Sequence, residues 1–249
     1  MNVLSVACQN GDIETVEYLL SHGEDVNTKD DYDMTPLHIA CDTRYHAVAE
    51  LLISHGSDIH SKNSTNNTPL HIAFYRGCPM IVELLISHGA NVNEKGKYGD
   101  TPLHIQCGDH YCELAEILIH HGANINEKNN YGDTPLHIAS RCWKIEVIAL
   151  LISHGANVNE RNNYGETPLS IASYERNSNF ANLLMNHGAN INNKNNHGES
   201  SMNIAQRNPD TYFAKFMKKE IKKRIYVASL IINNDVLKHH IFEKLINLF

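Results

Sequence analysis

The residues of this chain that could do chemistry are its 17 histidines and six cysteines. Both residue types bind transition metals, and cysteine is also a nucleophile. Ten of the histidines recur every 33 residues, four after Thr-Pro-Leu and six before a glycine: His38, His71, His104, His137, and His22, His55, His88, His121, His154, His187. Recurrence at a fixed interval is typical of a structural role, so we interpret these ten as parts of a repeated element.

The other histidines and the cysteines do not form a metal-site pattern. His120-His121 and His239-His240 are adjacent pairs, whereas two ligands on one helical face need a spacing of four residues. No Cys-x-x-Cys pair occurs, and Cys8, Cys41 and Cys107 share one repeat position, where a small buried residue fits. The sequence therefore predicts no metal, no cofactor and no disulfide framework.

Catalytic motifs are also missing from the sequence. It contains no Gly-x-Ser-x-Gly, no phosphate-binding Walker loop and no Gly-x-Gly-x-x-Gly. The acidic residues are spread along the chain, so no pair of carboxylates stands out. We therefore expect a protein that is not an enzyme.

Charge and hydropathy limit the classes of partner. The net charge is −7, and it divides into −12 for residues 1–214 and +5 for residues 215–249. An acidic body repels phosphates, which disfavours nucleic acid. No apolar run is long enough to span a bilayer, and the N-terminus has no signal-peptide layout. We expect no membrane partner and a cytoplasmic protein, with nuclear entry left open.

The elements that position these residues follow the same period of 33. The hexapeptide Thr35 to Ala40 returns, with changes, at 68–73, 101–106, 134–139, 167–172 and 200–205. Thr followed by Pro starts a helix, because Thr caps it and Pro needs no backbone N–H donor there. A second helix with apolar residues at i, i+3 and i+4 follows, such as Val48, Leu51 and Leu52, and ends at a glycine. A tight turn then completes the unit. Asp33 and Asn66 replace the turn glycine in two units, and both residue types tolerate positive φ.

With this period and the motif Thr-Pro-Leu-His-x-Ala, residues 1–219 resemble the ankyrin repeat family. The resemblance implies an all-α ankyrin-repeat solenoid of about six full repeats, a degenerate C-terminal unit and a helical tail. The predicted units are 1–34, 35–67, 68–100, 101–133, 134–166, 167–199 and 200–219, and the tail is 220–249. Gln106 stands where other units have Ala, which puts tight stacking of that unit in doubt.

Two interpretations of the tail stay open. Its apolar residues could cap the last unit, with Asp235 starting a final helix that bears Val236, Leu237, Ile241, Leu245 and Leu248. Alternatively, the tail could recruit a ubiquitin ligase adaptor, since viral ankyrin proteins of the host-range type often end in an F-box-like segment. The sequence lacks the Leu-Pro start usual in an F-box. A frequent use of Asn, Ile and Lys fits the AT-rich genomes of some protists and large DNA viruses.

Without catalytic chemistry, recognition of another protein is the predicted function. The resemblance implies that a monomer binds a partner of unknown identity on its concave face, through the turn tips and the ends of the first helices. Aromatic and arginine side chains at those positions are typical interface anchors. The predicted contact residues are Tyr32, Tyr75, Arg76, Tyr98, Tyr131, Arg141, Trp143, Tyr164 and Tyr174. The alternative is that the tip tyrosines only stabilise turns.

Overall fold

The described part of the chain is helical throughout. The structure is a computed structural model that describes residues 2–108, 112–209 and 211–231. These residues contain fourteen α-helices, one 3-10 turn at Lys97–Gly99 and no strand. The helices are α1 Val3–Asn10, α2 Ile13–Ser21, α3 Pro36–Thr43, α4 His46–Ser54, α5 Pro69–Tyr75, α6 Pro79–Ser87, α7 Pro102–Gly108, α8 Cys112–His120, α9 Pro135–Cys142, α10 Ile145–Ser153, α11 Pro168–Tyr174, α12 Ser178–Asn186, α13 Ser201–Gln206 and α14 Tyr212–Ile231.

The chain forms two compact parts, Met1–Asn157 and a second that begins at Val158. In the first part, the first helices of successive repeats (α1, α3, α5, α7, α9) pack on one another, and each packs on the second helix that follows it. Small buried residues such as Ala40 and Cys41 allow the first helices to approach closely. In the second part, α11 packs on α12 and α13, and α14 packs on α12 and α13. The predicted all-α ankyrin fold is confirmed.

The Thr-Pro-Leu-His motif starts each first helix with a reciprocal cap. In α3, Thr35 N–H donates to His38 Nδ1 over 3.2 Å, and His38 N–H donates to Thr35 Oγ1 over 3.4 Å. His71, His104 and His137 make the same Nδ1 contact with the threonine of their own repeat. The motif thereby satisfies backbone donors that a helix start leaves without a partner.

The same imidazoles join neighbouring repeats. His38 Nε2 lies 3.0 Å from Asn67 O, and His104 Nε2 lies 3.0 Å from Asp133 O. Since Nδ1 accepts a backbone N–H, Nε2 must carry the proton and donate it to the carbonyl directly before the Thr-Pro start of the next repeat. Burial lowers the pKa of His38 and of His71 from 6.5 to about 4, and it also lowers the pKa of His104. These side chains are therefore neutral at physiological pH.

Asparagine side chains form a second set of bridges between repeats. Asn93 Nδ2 donates to Gly122 O over 3.0 Å, and Asn93 Oδ1 accepts from Asn124 N–H over 2.7 Å. Asn126 bridges in the same way to Gly155 and Asn157. One amide satisfies a donor and an acceptor at the end of the next second helix, which fixes the spacing of adjacent repeats.

Gln106 is the exception inside the stack. The side chain is fully buried in α7, and its Nε2 donates to Phe74 O over 3.3 Å. Its Oε1 has no hydrogen-bond partner. The helix still packs on both α5 and α9, so the stack is kept. The buried Oε1 of Gln106, which lacks a hydrogen-bond partner, is expected to lower the stability of the protein.

Helix α14 carries the chain past the predicted end of the array at residue 219. Earlier repeats end their second helix at His-Gly, but Glu220 and Ile221 stand here, and nothing stops the helix. Phe213, Met217 and Ile221 are buried along one face. The proposed last helix, with Asp235, Val236, Leu237, Ile241, Leu245 and Leu248, lies outside the described residues. Within the described ranges, no helix is long and apolar enough to cross a membrane.

The buried histidines predict a loss of stability in mild acid. The folded pKa of His38 and His71 is depressed, so below pH 6.5 the unfolded chain binds more protons than the folded chain. The free energy of unfolding should therefore fall as pH drops from 6.5 towards 4, by about 3 kcal/mol for each histidine at most. Urea unfolding at a series of pH values measures this slope.

Ser170 shows which residue can replace the histidine as a control, because it occupies the histidine position of the sixth repeat. Its Oγ accepts Thr167 N–H over 2.9 Å and so keeps the cap without a titrating group. The double variant H38S/H71S should be less stable at pH 7 but have a flatter slope between pH 6.5 and 5. An unchanged slope in this variant would assign the acid sensitivity to other groups.

Gln106→Met should stabilise the protein by about 1 kcal/mol, because it removes a buried carbonyl without a partner at nearly constant volume. The substitution also removes the donor that Gln106 provides to Phe74 O. That carbonyl still accepts the N–H of Gly77 over 3.0 Å, so it keeps a hydrogen-bond partner. Gln106→Ala is the comparison, since it also removes the carbonyl but leaves a cavity. Chemical denaturation measures both, and a Met variant less stable than wild type contradicts the interpretation.

Candidate protein-interaction surface

The turn between one repeat and the next, here called a finger, is built on an Asn or Asp at its base. Asn129 Oδ1 accepts the N–H of Tyr131 over 2.9 Å and of Asp133 over 3.0 Å. The same position holds Asp30, Asn63, Asn162 and Asn195, whose side chains accept in the same way. This side chain closes the turn and directs the tip residue outward. The sequence analysis missed these residues, although their period of 33 was visible.

The tip tyrosines are exposed, as the sequence analysis expects for contact residues. Tyr32, Tyr131 and Tyr164 have exposed fractions of 71%, 43% and 56%. Their backbone contributes to stacking, since Tyr32 O accepts Ser64 N–H over 2.9 Å and Tyr164 O accepts Asn196 N–H over 3.0 Å. The predicted left-handed residues Asp33 and Asn66 have φ values of 57° and 64°, so that prediction is confirmed. The backbone of each tip thus stabilises the fold, while its phenol faces solvent.

The finger that carries Tyr98 has a different turn. Gly96 replaces the Asn at its base, and a Cβ there would lie 2.4 Å from Asn67 Oδ1, which accepts the N–H of Lys97 over 2.9 Å. Tyr98 itself has φ 61°, followed by Gly99 at φ 73°. A bulky residue rarely occupies this left-handed region. The finger therefore holds its tyrosine in a conformation that costs energy.

Two predicted contact residues meet at this place. The rings of Tyr98 and Tyr131 lie 6.1 Å apart with an angle of 44° between their planes. Lys97 Nζ lies 4.7 Å from the centre of the Tyr98 ring, a cation–π distance. Tyr98 O also accepts the N–H of Asn130 over 2.9 Å. Adjacent finger tips thus form a fixed aromatic pair with a cation beside it.

The predicted arginines at the ends of the first helices are held in ion pairs. Arg141 forms a two-pronged pair with Asp133, with Nη1 2.5 Å from Oδ2 and Nη2 3.1 Å from Oδ1. Only 5% of the Asp133 side chain is exposed. Arg76 pairs with Asp42 over 2.7 Å on the surface, beside Tyr75, which is 44% exposed. These arginines are therefore oriented by their own chain.

Trp143 is the most unusual residue of the surface. It ends α9 with φ 62° and is 57% exposed. Other repeats have Gly11, Arg44, Gly77 and Arg176 at this position, with φ values of 71°, 65°, 61° and 54°. The fold thus needs a left-handed residue here, which a glycine provides at no steric cost. Since glycine and arginine occupy this position in other repeats, a role of Trp143 in binding stays a prediction.

In the second part of the chain, Tyr174 is part of a polar network. Its hydroxyl donates to Glu199 Oε2 over 3.2 Å and accepts from Asn195 Nδ2 over 2.9 Å. Arg207 pairs with Glu199 over 2.5 Å, and its guanidinium lies 5.5 Å from the Tyr174 ring centre. Burial raises the pKa of the Tyr174 phenol, and the charge of Glu199 raises it further. These contacts hold the Tyr174 side chain in place, and its phenol stays protonated.

The histidines and cysteines are arranged for structure. Among the described residues, no group of three or more His, Cys, Asp or Glu side chains could hold a metal ion. The imidazoles before glycine bond to their own helix, for example His88 Nδ1 to Leu84 O over 2.8 Å. Cys8, Cys41 and Cys107 are fully buried, and burial raises the pKa of Cys8 to about 12. The absence of an enzyme activity and of a cofactor stays a prediction.

Comparison with known proteins identifies the family. The family model described as Ankyrin repeats (3 copies) matches residues 1–63, 56–129 and 105–195. The chain belongs to the ankyrin repeat family. No curated protein sequence matches it significantly.

Solved structures agree with this assignment. The human ASB11 ankyrin repeat domain is 25% identical, with a TM-score of 0.76, and the match covers 87% of this chain and 96% of that one. The ankyrin repeat domain of Bcl-3, a member of the IkappaB family, is 24% identical, with a TM-score of 0.77, and covers 88% and 98%. Both support the ankyrin fold of this chain.

Arg141→Ala should destabilise the protein by about 2 kcal/mol, because the buried carboxylate of Asp133 loses both of its donors from Arg141. Arg76→Ala is the matched control, since both members of that pair are more than a third exposed and its loss should cost less than about 0.5 kcal/mol. Urea unfolding measures both. Equal effects of the two substitutions would contradict the difference in burial.

Proposed function

We propose that this protein is a non-enzymatic scaffold that binds a partner protein through its finger tips and the ends of its first helices. The observation that carries the proposal is Trp143. A large apolar side chain is 57% exposed at a position where other repeats have Gly11, Arg44, Gly77 and Arg176, so the fold requires positive φ there but not an aromatic residue. Left-handed backbone costs a bulky residue on the order of 1 kcal/mol. An exposed tryptophan at a position that the fold does not reserve for an aromatic residue supports a contact outside the chain.

The aromatic pair Tyr98 and Tyr131 supports the same surface. The two ring centres lie 6.1 Å apart and Lys97 Nζ lies 4.7 Å from the centre of the Tyr98 ring, so the rings and the cation form one exposed cluster. Tyrosine and tryptophan also supply large contact areas with few rotatable bonds. The proposed contact set in the first part of the chain is Tyr32, Tyr75, Arg76, Tyr98, Tyr131, Arg141 and Trp143, and Tyr164 and Tyr174 are its members in the second part.

The nature of the partner follows from charge. The acidic body disfavours nucleic acid, so we propose a protein partner. We further propose that the chain acts as a monomer in the cytoplasm, with nuclear entry left open, and that it uses neither metal nor cofactor. The resemblance to ankyrin proteins implies that the binding face is the concave one.

For the tail, the proposal is a cap. Phe213, Met217 and Ile221 pack against the last repeat, and Arg224 donates from Nη1 to Met185 O and from Nη2 to Asn186 Oδ1, each over 2.6 Å. A cation at the C-terminus of α12 interacts favourably with the carbonyls there, although Met185 O also accepts the N–H of Gly188 over 3.2 Å. The alternative, recruitment of a ubiquitin ligase adaptor by the tail, has no contact of this kind in its favour.

Trp143→Gly separates function from stability. The variant should be as stable as wild type or more stable by up to about 1 kcal/mol, since glycine adopts the observed φ freely. It should recover at least about tenfold less partner in affinity capture from cytosol, as expected for loss of a central aromatic anchor. Circular dichroism and quantitative mass spectrometry measure the two effects.

Tyr18→Ala is the matched control, because Tyr18 is an exposed aromatic on α2, away from the fingers. It should leave the recovered proteins unchanged. If the Trp143 and Tyr18 variants recover the same proteins in the same amounts, the proposed surface is wrong. A truncation after residue 231 keeps α14 intact, and loss of a ligase component with this truncation alone would favour the adaptor alternative.

A further inference from the structure

In the middle of the array, three side chains bind one finger to the next finger along the chain. The Asn93 amide bonds to the backbone that follows the end of α8, through one donor and one acceptor. Lys95 Nζ donates to Lys128 O over 2.8 Å and pairs with the Glu127 carboxylate over 2.7 Å. His104 Nε2 donates over 3.0 Å to the carbonyl directly before the next Thr-Pro start. The three side chains thus bind the backbone of the next finger and one carboxylate on it.

The finger before α13 has polar side chains at the same three positions, three periods of 33 residues further along: Asn192, Lys194 and Asn203. Asn203 caps α13 as the histidines cap earlier helices, because its Oδ1 accepts the N–H of Ser200 over 3.0 Å. Its Nδ2 is then the counterpart of the imidazole Nε2. In the described ranges, this Nδ2 and the side chains of Asn192 and Lys194 have no hydrogen-bond or ion-pair partner. His104 is 2% exposed, whereas Asn203 is exposed.

Helix α14 explains why these side chains have no partner. In the earlier repeat, the bonded backbone groups are Gly122 O and Asn124 N–H, which lie beyond the end of α8. Ile221 and Lys223 have the matching positions, but both lie inside α14, where N–H and C=O groups bond within the helix. Because α14 does not end here, it offers no open backbone to Asn192.

A groove of about 270 Å³ lies beside these side chains. Its lining combines all three of them with the apolar side chains of Ile191, Met202 and Ile221. Met202 and Ile221 are only 6% and 4% exposed, so the groove has a buried apolar part next to an exposed polar edge. An apolar surface with a few polar groups beside it is typical of a binding site.

We propose that this groove, here called the terminal groove, binds an extended loop of a partner protein that carries a carboxylate side chain. The amide of Asn192 requires a C=O and an N–H close together, which a polypeptide backbone supplies. Lys194 adds a positive charge, and in the earlier repeats the lysine at this position pairs with a glutamate of the next finger, as Lys95 does with Glu127. The partner loop thus takes the place of a finger that the array lacks here.

A blocked peptide that copies residues 122–134 tests the terminal groove, because this segment contains every group that the earlier finger binds. Titrated into the isotope-labelled full chain, it should shift the NMR signals of the Asn192 and Asn203 side-chain amides. The same peptide with glutamine in place of its glutamate should bind about threefold more weakly, as expected for an exposed ion pair. A peptide of the same residues in scrambled order should cause no shift. Equal shifts with the copied and scrambled peptides, or none with the copied peptide, would overturn the proposal.

Single substitutions assign the contacts. Asn192→Ala, Lys194→Gln and Asn203→Ser should each weaken peptide binding by about threefold or more, measured at the side-chain amide that remains. Asn203→Ser keeps the helix cap, since Ser170 caps α11 in this way. Lys215→Gln is the matched control for charge, because Lys215 is exposed on α14 and does not line the groove, and it should leave binding unchanged. An equal loss with Lys215→Gln would assign the response to net charge and refute the site.

Two other occupants of the terminal groove give different results. If another part of this chain already fills it, Asn192→Ala should lower the melting temperature of the full chain. If a second copy fills it, the full chain should sediment as a dimer and the Asn192→Ala variant as a monomer. Either result contradicts the proposal, which expects an unchanged melting temperature and a monomer in both cases.

The terminal groove lies in the second part of the chain, so the inference goes beyond the proposed function. Trp143→Gly should therefore keep the full peptide response. If the peptide fails to bind while Trp143→Gly loses a partner, the terminal groove is wrong and the proposed interaction surface stands. If the peptide binds while no captured protein depends on Trp143, the reverse holds.

Discussion

The interaction on which this structure depends is the hydrogen bond that a buried, neutral imidazole makes between one repeat and the next. His38, His71 and His104 each accept a backbone N–H of their own helix start, and each has a carbonyl of the following finger within hydrogen-bond distance of Nε2. A single helical hairpin of this size cannot bury its own apolar stripe, so it is stable only against its neighbours. The imidazole fixes how those neighbours are placed, because both of its nitrogens are used.

A finger that is fixed at its base leaves its tip free to vary. The imidazole holds one side of the finger and the Asx side chain closes its turn, so that the backbone needs nothing from the tip side chain. Tip and helix-end residues can then change without loss of the fold. For this reason, the residues at Gly96 and Trp143 are informative about recognition, whereas the recurring histidines are informative about the scaffold.

The departures have different physical consequences. Gln106 introduces a buried carbonyl without a partner, which weakens the stack and adds nothing to the surface. Trp143 also costs stability, through its left-handed backbone, but it presents a large apolar side chain to solvent. We interpret a destabilising residue in the interior, such as Gln106, as tolerated variation. We interpret a destabilising residue that is exposed, such as Trp143, as a candidate contact residue.

The sequence by itself determined the ankyrin repeat, the helix starts, the second-helix stripes and the left-handed turns at Asp33 and Asn66. The helix starts and left-handed turns arise from contacts between residues a few positions apart, and the stripes follow the period of a helix, so a repeat of 33 residues displays them directly. Only the tertiary structure decided that Arg141 is held by Asp133, that Tyr98 lies beside Tyr131 and that Trp143 has a left-handed backbone. Those outcomes depend on side chains from different elements meeting in space, and on burial, which no local pattern reports.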